Sequence, residues 1–144
     1  MEPKSLNDNI ALLMGQATHL MSLKISRLFR EKGYKITVEQ FTVLTILWYQ
    51  DGLPQKTIAK QINRDKTTIT RVVDNMMKDN LIVRIPSEKD KRIKLIYLTH
   101  KGKSMQNELM MSSGQIYMKA IDGLSRADID SANMVMNKII KNLK

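Results

Sequence analysis

DKTTITRVVDNMMK is the sequence of residues 65–78, and its apolar side chains recur at the spacing of one buried helix face. The opposite face, reached by advancing about 100° per residue, carries hydroxyls, an amide and cations. Its members, with those on its flanks, are Lys66, Thr67, Thr68, Thr70, Arg71 and Asn75. Such a set suits a helix in the DNA major groove, because hydroxyls and Lys bind phosphates while Arg reads a guanine edge. The alternative is the solvated face of an ordinary amphipathic helix.

The charge of the chain favours a polyanionic partner. The 144 residues, about one domain, carry a net charge of +10. Between Gln55 and Lys103 there are 13 Lys or Arg and 5 acids, so +8 of the +10 falls in this segment. Nucleic acid or an anionic membrane surface fits such a balance. The absence of cysteine excludes disulfide scaffolds, Cys-based zinc sites and thiol nucleophiles.

The residues before the quoted stretch predict a short helix followed by a tight turn. Pro54 suits the first turn of that helix. The inner face of the helix consists of Ile58, Ala59 and Ile62. Asn63 and Arg64 form the turn, and Asp65 can cap the next helix. A short helix, a short turn and a cationic helix together predict a helix-turn-helix.

The residues after the stretch predict a β-hairpin. Asn80 tolerates the left-handed conformation and can end the helix. Two β-rich runs, 81–85 and 93–98, then enclose the charged loop 86–92. A hairpin directly after such a helix is a wing.

Long helices are predicted at both ends. Residues 6–32 form a helix of roughly 40 Å that ends at Gly33. A capping box at Thr37 begins the second helix, and a helix over about 101–122 follows Thr99. The last helix has an apolar stripe, which the first helix or a second copy of the protein must cover.

Three motifs, in order and correctly spaced, resemble the MarR family of winged-helix regulators. They are Asp65-Lys66-Thr67-Thr68-Ile69-Thr70-Arg71, Asp90-Lys91-Arg92 and Leu98-Thr99-His100-Lys101-Gly102. The resemblance covers essentially the whole chain. It departs at Asn80, where the family usually has glycine, and it lacks the reactive cysteine of the peroxide-sensing branch.

The resemblance implies a mainly α fold with a small β-hairpin wing, in one domain over 1–144. A winged helix-turn-helix lobe is expected at about 35–100, and dimerisation helices at about 5–33 and 101–144. The expected partners are double-stranded DNA and a second copy of the chain, in the cytoplasm. Two recognition helices would then enter successive major grooves, with half-sites about 34 Å apart. Family members commonly bind aromatic or amphipathic anions between the dimer core and the DNA-binding lobe, so a small-molecule effector is possible.

Within this picture Arg71 is expected to contact a base or a nearby phosphate; alternatively it pairs with Asp74 or Asp65. Lys66, Thr67, Thr68 and Thr70 are expected at phosphates or thymine methyls, although the threonines could be surface filler. Arg92, at the hairpin tip, can enter a narrow minor groove. Asp90 lies two residues earlier, on the same side of a strand, and can hold Arg92 extended. Lys89 and Lys91 add non-specific charge; alternatively the whole loop only keeps the hairpin soluble.

Other functions lack support in the sequence. We expect no enzyme, because there is no His–carboxylate constellation and no Gly-rich phosphate loop. We expect no metal or cofactor, since His19 and His100 have no partners at ligand spacing. No membrane span is expected. A dimeric repressor released by a ligand is the leading hypothesis. An activator, or a winged-helix protein-interaction module, is the alternative, and a monomeric mass in solution would favour the module.

Overall fold

The computed structural model describes residues 4–144 and shows a mainly helical fold with one small antiparallel sheet. Residues 1–3 of the expected domain lie outside the described residues. The elements are α1 (Ile10–Glu31), α2 (Val38–Tyr49), β1 (Leu53–Pro54), α3 (Gln55–Gln61), α4 (Lys66–Lys78), β2 (Ile82–Pro86), β3 (Lys94–Leu98), α5 (His100–Ser104), α6 (Gln106–Ala120) and α7 (Arg126–Leu143), preceded by a 3₁₀ turn at Leu6–Asp8. This arrangement confirms the predicted winged helix-turn-helix.

The core lies where α2, α3 and α4 pack against the sheet. The four apolar positions predicted for α4 are all buried. On the predicted inner face of α3, Ile58 and Ala59 are buried and Ile62 is half-buried. On α2, Val43, Leu44 and Leu47 are buried. Fully buried side chains include Phe29, Val43, Leu44, Ile58, Ile69, Val73, Met76, Leu81, Ile82, Ile96 and Leu109. The ring of Phe41 packs edge-on against Phe29 and Trp48. Trp48 is half-buried and donates its indole N–H to the carbonyl of Gly102 at 2.9 Å.

Local capping signals fix most helix ends. The capping boxes at Thr37 and Ser125 are both present, and Asp65 caps α4. Asn80 has φ +58°, which confirms that it takes the left-handed conformation. The predicted start of the first helix at Leu6 is wrong: the side chain of Asn9 accepts the amides of Ala11 and Leu12, so α1 begins four residues later, at Ile10.

The sheet contains a strand that the sequence did not indicate. Its order is β1-β3-β2, with Leu53 opposite Ile96 and Ile82 opposite Leu98. Pro54 belongs to β1 and only precedes α3, so its predicted place in the first helical turn is wrong. A proline fits this edge strand because its missing N–H removes no interior ladder bond.

The helix predicted over 101–122 is divided into α5 and α6 at Met105. The hydroxyl of Ser104 donates to the Lys101 carbonyl at 2.8 Å, a local bond of the kind that disturbs helices. Gly102 lies against Leu81, the residue before β2: an added Cβ would be 2.3 Å from the Leu81 carbonyl oxygen. Thr99 closes this junction, since its hydroxyl oxygen accepts from the Gly102 amide at 3.1 Å and lies 3.0 Å from the Leu81 oxygen.

The terminal helices expose apolar faces. None of the residues of α7 is buried, and its large apolar side chains are open to solvent. The exposed ones are Met134, Val135, Met136, Ile140 and Leu143. On α1, Leu20 and Leu23 are also exposed and line a groove of about 1010 Å³ against α6. No helix within residues 4–144 is both long and apolar enough to cross a membrane.

Candidate nucleic-acid interface

The first turn of α4 is held in place by Asp65. Its carboxylate accepts from the Thr68 amide at 2.8 Å, and hydrogen bonding from Thr68 lowers the pKa of Asp65. The buried face of α4 fixes the rotation of the helix, so the predicted contact residues face outward. Lys66, Thr67, Arg71 and Asn75 are exposed, while Thr68 and Thr70 are half-buried.

The Thr70 hydroxyl is engaged within the protein. It donates to the Lys66 carbonyl at 2.7 Å and accepts from Gln55 Nε2 at 3.1 Å. Because a hydroxyl has only one proton, Thr70 cannot also donate to a phosphate. A phosphate contact would require the hydroxyl to leave the Lys66 carbonyl. That contact and the alternative contact of the Thr70 methyl group with a thymine both stay predictions.

The wing loop, residues 87–93, presents Arg92 on a fixed carboxylate. Arg92 donates from Nε to Asp90 Oδ1 at 3.1 Å and from Nη2 to Oδ2 at 3.0 Å. The Arg92 side chain is nevertheless 91% exposed. Hydrogen bonds from the Arg92 side chain, and then from its amide, lower the pKa of Asp90. Lys89 and Lys91 are exposed beside this pair.

The ion pair between Asp90 and Arg92 is present, but it does not form along a strand as expected. Asp90 and Arg92 lie in the turn and not on a strand, because β3 begins only at Lys94. The Asp90 carboxylate accepts the Arg92 amide at 3.1 Å, and its carbonyl accepts the Ile93 amide at 2.9 Å. An Asx-type turn therefore places both side chains on the same side of the loop.

A second network, which sequence reasoning missed, joins the wing to α4. Arg84 on β2 donates from Nη2 to Asp74 Oδ1 at 2.8 Å and from Nε to Gln55 Oε1 at 3.0 Å. Gln55, at the start of α3, passes the connection to Thr70. The Arg84 side chain is only 24% exposed. These bonds tie three elements of the winged helix together.

Arg71 has a partner that the sequence did not suggest. Neither Asp74 nor Asp65 pairs with it; instead its Nη2 lies 3.6 Å from Oε2 of Glu39 on α2. The other oxygen of Glu39 accepts from Arg64 Nε at 3.1 Å. Arg64, in the turn before α4, is thus a further cation at this surface that motif reasoning left out.

A cleft of about 640 Å³ lies between the end of α1, the start of α2 and α4. Its walls include Arg30, Tyr34, Lys35, Glu39, Arg71 and Val72. The hydroxyl of Tyr34 donates to Glu108 on α6, and this bond raises the pKa of Tyr34. Residues 4–144 hold no group of three His, Cys, Asp or Glu side chains placed for a metal ion.

Known proteins share this arrangement. A family model described as the MarR family matches residues 36–94. The chain is 31% identical over 109 residues to the HTH-type transcriptional regulator MgrA of Staphylococcus aureus, covering 76% of this chain and 73% of that protein. Such relatives are transcriptional regulators and not enzymes.

Solved structures share the fold over nearly the whole chain. The PcaV transcriptional regulator of Streptomyces coelicolor, solved in complex with its natural ligand, has a TM-score of 0.85 at 19% identity and covers 100% of both chains. Reduced AbfR bound to DNA has a TM-score of 0.77 at 18% identity and covers 96% of this chain and 94% of that one.

Proposed function

This chain belongs to the MarR family of winged-helix transcriptional regulators, and we propose that it binds double-stranded DNA by inserting α4 into the major groove. One observation carries the proposal: α4 buries one face completely and turns Lys66, Thr67, Arg71 and Asn75 outward. Arg71 is the base-reading residue, because a guanidinium can bond two acceptors of a guanine edge. AbfR, a protein of the same fold, was solved bound to DNA.

The wing adds a second contact. Arg92 is extended at the tip of the hairpin, and Asp90 fixes its direction without shielding it. In this proposal Arg92 enters the minor groove beside the major groove that α4 occupies, where narrow A·T-rich segments have the most negative potential. Lys89 and Lys91 supply sequence-independent attraction to the flanking phosphates.

The functional unit in this proposal is a homodimer. Residues 5–33 and 101–144 form the dimerisation region, and residues 35–100 form the DNA-binding lobe. The exposed apolar stripe of α7 and the apolar groove between α1 and α6 give each copy a surface that the other can cover. Two lobes held in this way would read half-sites about 34 Å apart. The protein would act on DNA in the cytoplasm.

The regulatory role proposed is repression relieved by an amphipathic anion. The cleft between α1, α2 and α4 combines the cations Arg30, Lys35 and Arg71 with the apolar side chains Ile36 and Val72. An anion bound there would engage Arg71 and so lower the affinity for DNA. PcaV, which shares the fold, was solved with its natural ligand. An activator with the same DNA-binding mode is the second candidate.

Selection from a random duplex library with the purified protein tests the proposal. We expect a pseudo-palindrome to be enriched, and light scattering to give twice the 16.6 kDa of one chain. Affinity should fall steeply with salt, as expected for roughly 6–10 neutralised phosphates. A monomeric mass together with no enriched sequence would instead favour a protein-interaction module. Aromatic carboxylates that weaken binding of the selected duplex would support the effector site.

A further inference from the structure

Glu39 is an acid placed beside the proposed DNA-reading surface. It lies in the first turn of α2, and its carboxylate meets two cations of that surface, Arg64 and Arg71. An acid at this position opposes the approach of phosphates, whereas the segment 55–103, which supplies both arginines, is strongly basic. Any acid would suit the first turn of α2. The contacts with Arg64 and Arg71, however, depend on the Glu39 side chain itself.

The two contacts of Glu39 are unequal. Arg64 Nε donates a hydrogen bond to Oε1 at 3.1 Å, which anchors the carboxylate. Arg71 Nη2 lies 3.6 Å from Oε2, which is an ion pair without a hydrogen bond, and the Arg71 side chain is 64% exposed. The carboxylate is therefore fixed from one side, and Arg71 is held loosely enough to leave it.

DNA must compete with Glu39 for Arg71. A phosphate offers a guanidinium the same kind of anionic acceptor that the carboxylate already provides, so exchanging one for the other gains little. A guanine edge adds two acceptors in fixed geometry, which the carboxylate in its observed position does not match. The exchange is thus more favourable at the correct base than at an arbitrary phosphate.

We propose that Glu39 is a specificity-determining residue, an internal counter-ion that reduces sequence-independent binding through Arg64 and Arg71 more than it reduces binding to the correct site. This inference rests on the proposed function of α4 as the DNA-reading helix. Part of the discrimination between specific and non-specific DNA then comes from an acid that lies outside the helix-turn-helix.

The test compares Glu39→Gln with Asp79→Asn, which makes the same change of charge at the end of α4, where the exposed carboxylate forms no ion pair within residues 4–144. Affinity is measured for the selected duplex and for a scrambled duplex of equal length and composition. For Glu39→Gln we expect binding to the scrambled duplex to tighten about threefold to fivefold, the range of an exposed ion pair, and binding to the selected duplex to tighten less than twofold. Asp79→Asn should change both affinities equally and by less.

Arg71→Ala separates the two proposals. In the Arg71→Ala background the gain from Glu39→Gln on scrambled DNA should fall by at least half, because only Arg64 remains to be released. If Arg71→Ala alone leaves binding to the selected duplex unchanged, the proposed function itself is wrong. If Arg71→Ala weakens that binding, but Glu39→Gln changes the two affinities no more than Asp79→Asn does or lowers them, only the role of Glu39 is overturned. Thermal melting confirms that each variant is folded.

Discussion

Nη2 of Arg84 lies 2.8 Å from Oδ1 of Asp74, and this bond fastens β2 of the wing to the middle of α4. The same guanidinium also binds Gln55, whose amide nitrogen donates to Thr70 one turn earlier on α4. In the proposed complex the wing and α4 lie in adjacent grooves of one duplex. This network sets the angle between them before DNA is bound.

Arg84→Met is expected to lower the free energy of unfolding by about 1–2 kcal/mol, because it keeps most of the side-chain volume but removes the donors that Asp74 and Gln55 accept. DNA affinity should fall further than stability explains, since the wing loses its fixed angle to α4. Urea unfolding and DNA titration measure the two effects.

Arg126→Met is the matched control for that substitution. Arg126 pairs with Asp130 at 3.0 Å, close to the 2.8 Å of the Arg84–Asp74 pair, but both of its partners are exposed, so we expect little change in stability. Equal losses of stability in the two variants would show that burial of the Arg84 pair contributes nothing.

The sequence predicted those parts of the fold that depend on neighbours along the chain. Asp65 and the Thr37 box are local caps, and Asn80 adopts φ +58° for the reason that its residue type suggests. The buried face of α4 follows from helical periodicity alone. These signals together fix the register of α4, and hence which of its side chains can face DNA.

The parts that were missed depend on residues distant in sequence. β1 is a strand only because β3, more than forty residues later, pairs with it. Arg84 and Glu39 carry no local signal, since pairing with Asp74 or Arg71 requires α2, α4 and β2 to be already packed. Periodicity marks which face of a helix is polar, but it does not show which polar groups meet.

Arg92→Ala is expected to weaken binding of the selected duplex about 5- to 100-fold, the loss of one or two charged groove contacts, with little change in melting temperature. The effect on stability is small because the Arg92 side chain is 91% exposed. Asp90→Ala should lose part of the same affinity, because Arg92 then has no fixed direction. Fluorescence anisotropy at physiological salt measures both.

Arg126→Ala again serves as control, because Arg126 is 90% exposed and also pairs with a nearby aspartate. It removes the same charge from a helix far along the chain from the wing. If Arg92→Ala and Arg126→Ala weaken binding equally, the wing contributes only net charge and makes no groove contact.

Gly102→Ala is expected to destabilise the protein by about 2–4 kcal/mol, in the range of overpacking plus a displaced hydrogen bond. The added methyl would lie 2.3 Å from the Leu81 carbonyl oxygen, which is backbone and cannot rotate away. Any shift of α5 also moves the Gly102 carbonyl that Trp48 binds. Urea unfolding should show the loss, and Trp48 fluorescence should change in the folded state.

Lys103→Ala, at the exposed neighbouring position, should leave the stability and the Trp48 fluorescence unchanged. Similar stability of the two variants would contradict the close contact.

Stability should fall on acidification through the Asp65 cap. Hydrogen bonding from Thr68 lowers the pKa of Asp65 below its usual 3.8, so the carboxylate stabilises the folded state above that value and loses this effect as pH falls through the lowered pKa.

Asp65→Asn keeps a capping oxygen but does not titrate, whereas Asp65→Ala removes the cap. At pH 7 we expect the melting temperature of Asp65→Asn to lie near that of the wild type and that of Asp65→Ala to lie below both. Between about pH 5 and pH 3 the wild type should lose stability more steeply than Asp65→Asn. Asp128 titrates in all three proteins and therefore affects their acid profiles equally. Parallel profiles for wild type and Asp65→Asn would show that the charge of Asp65 does not stabilise α4.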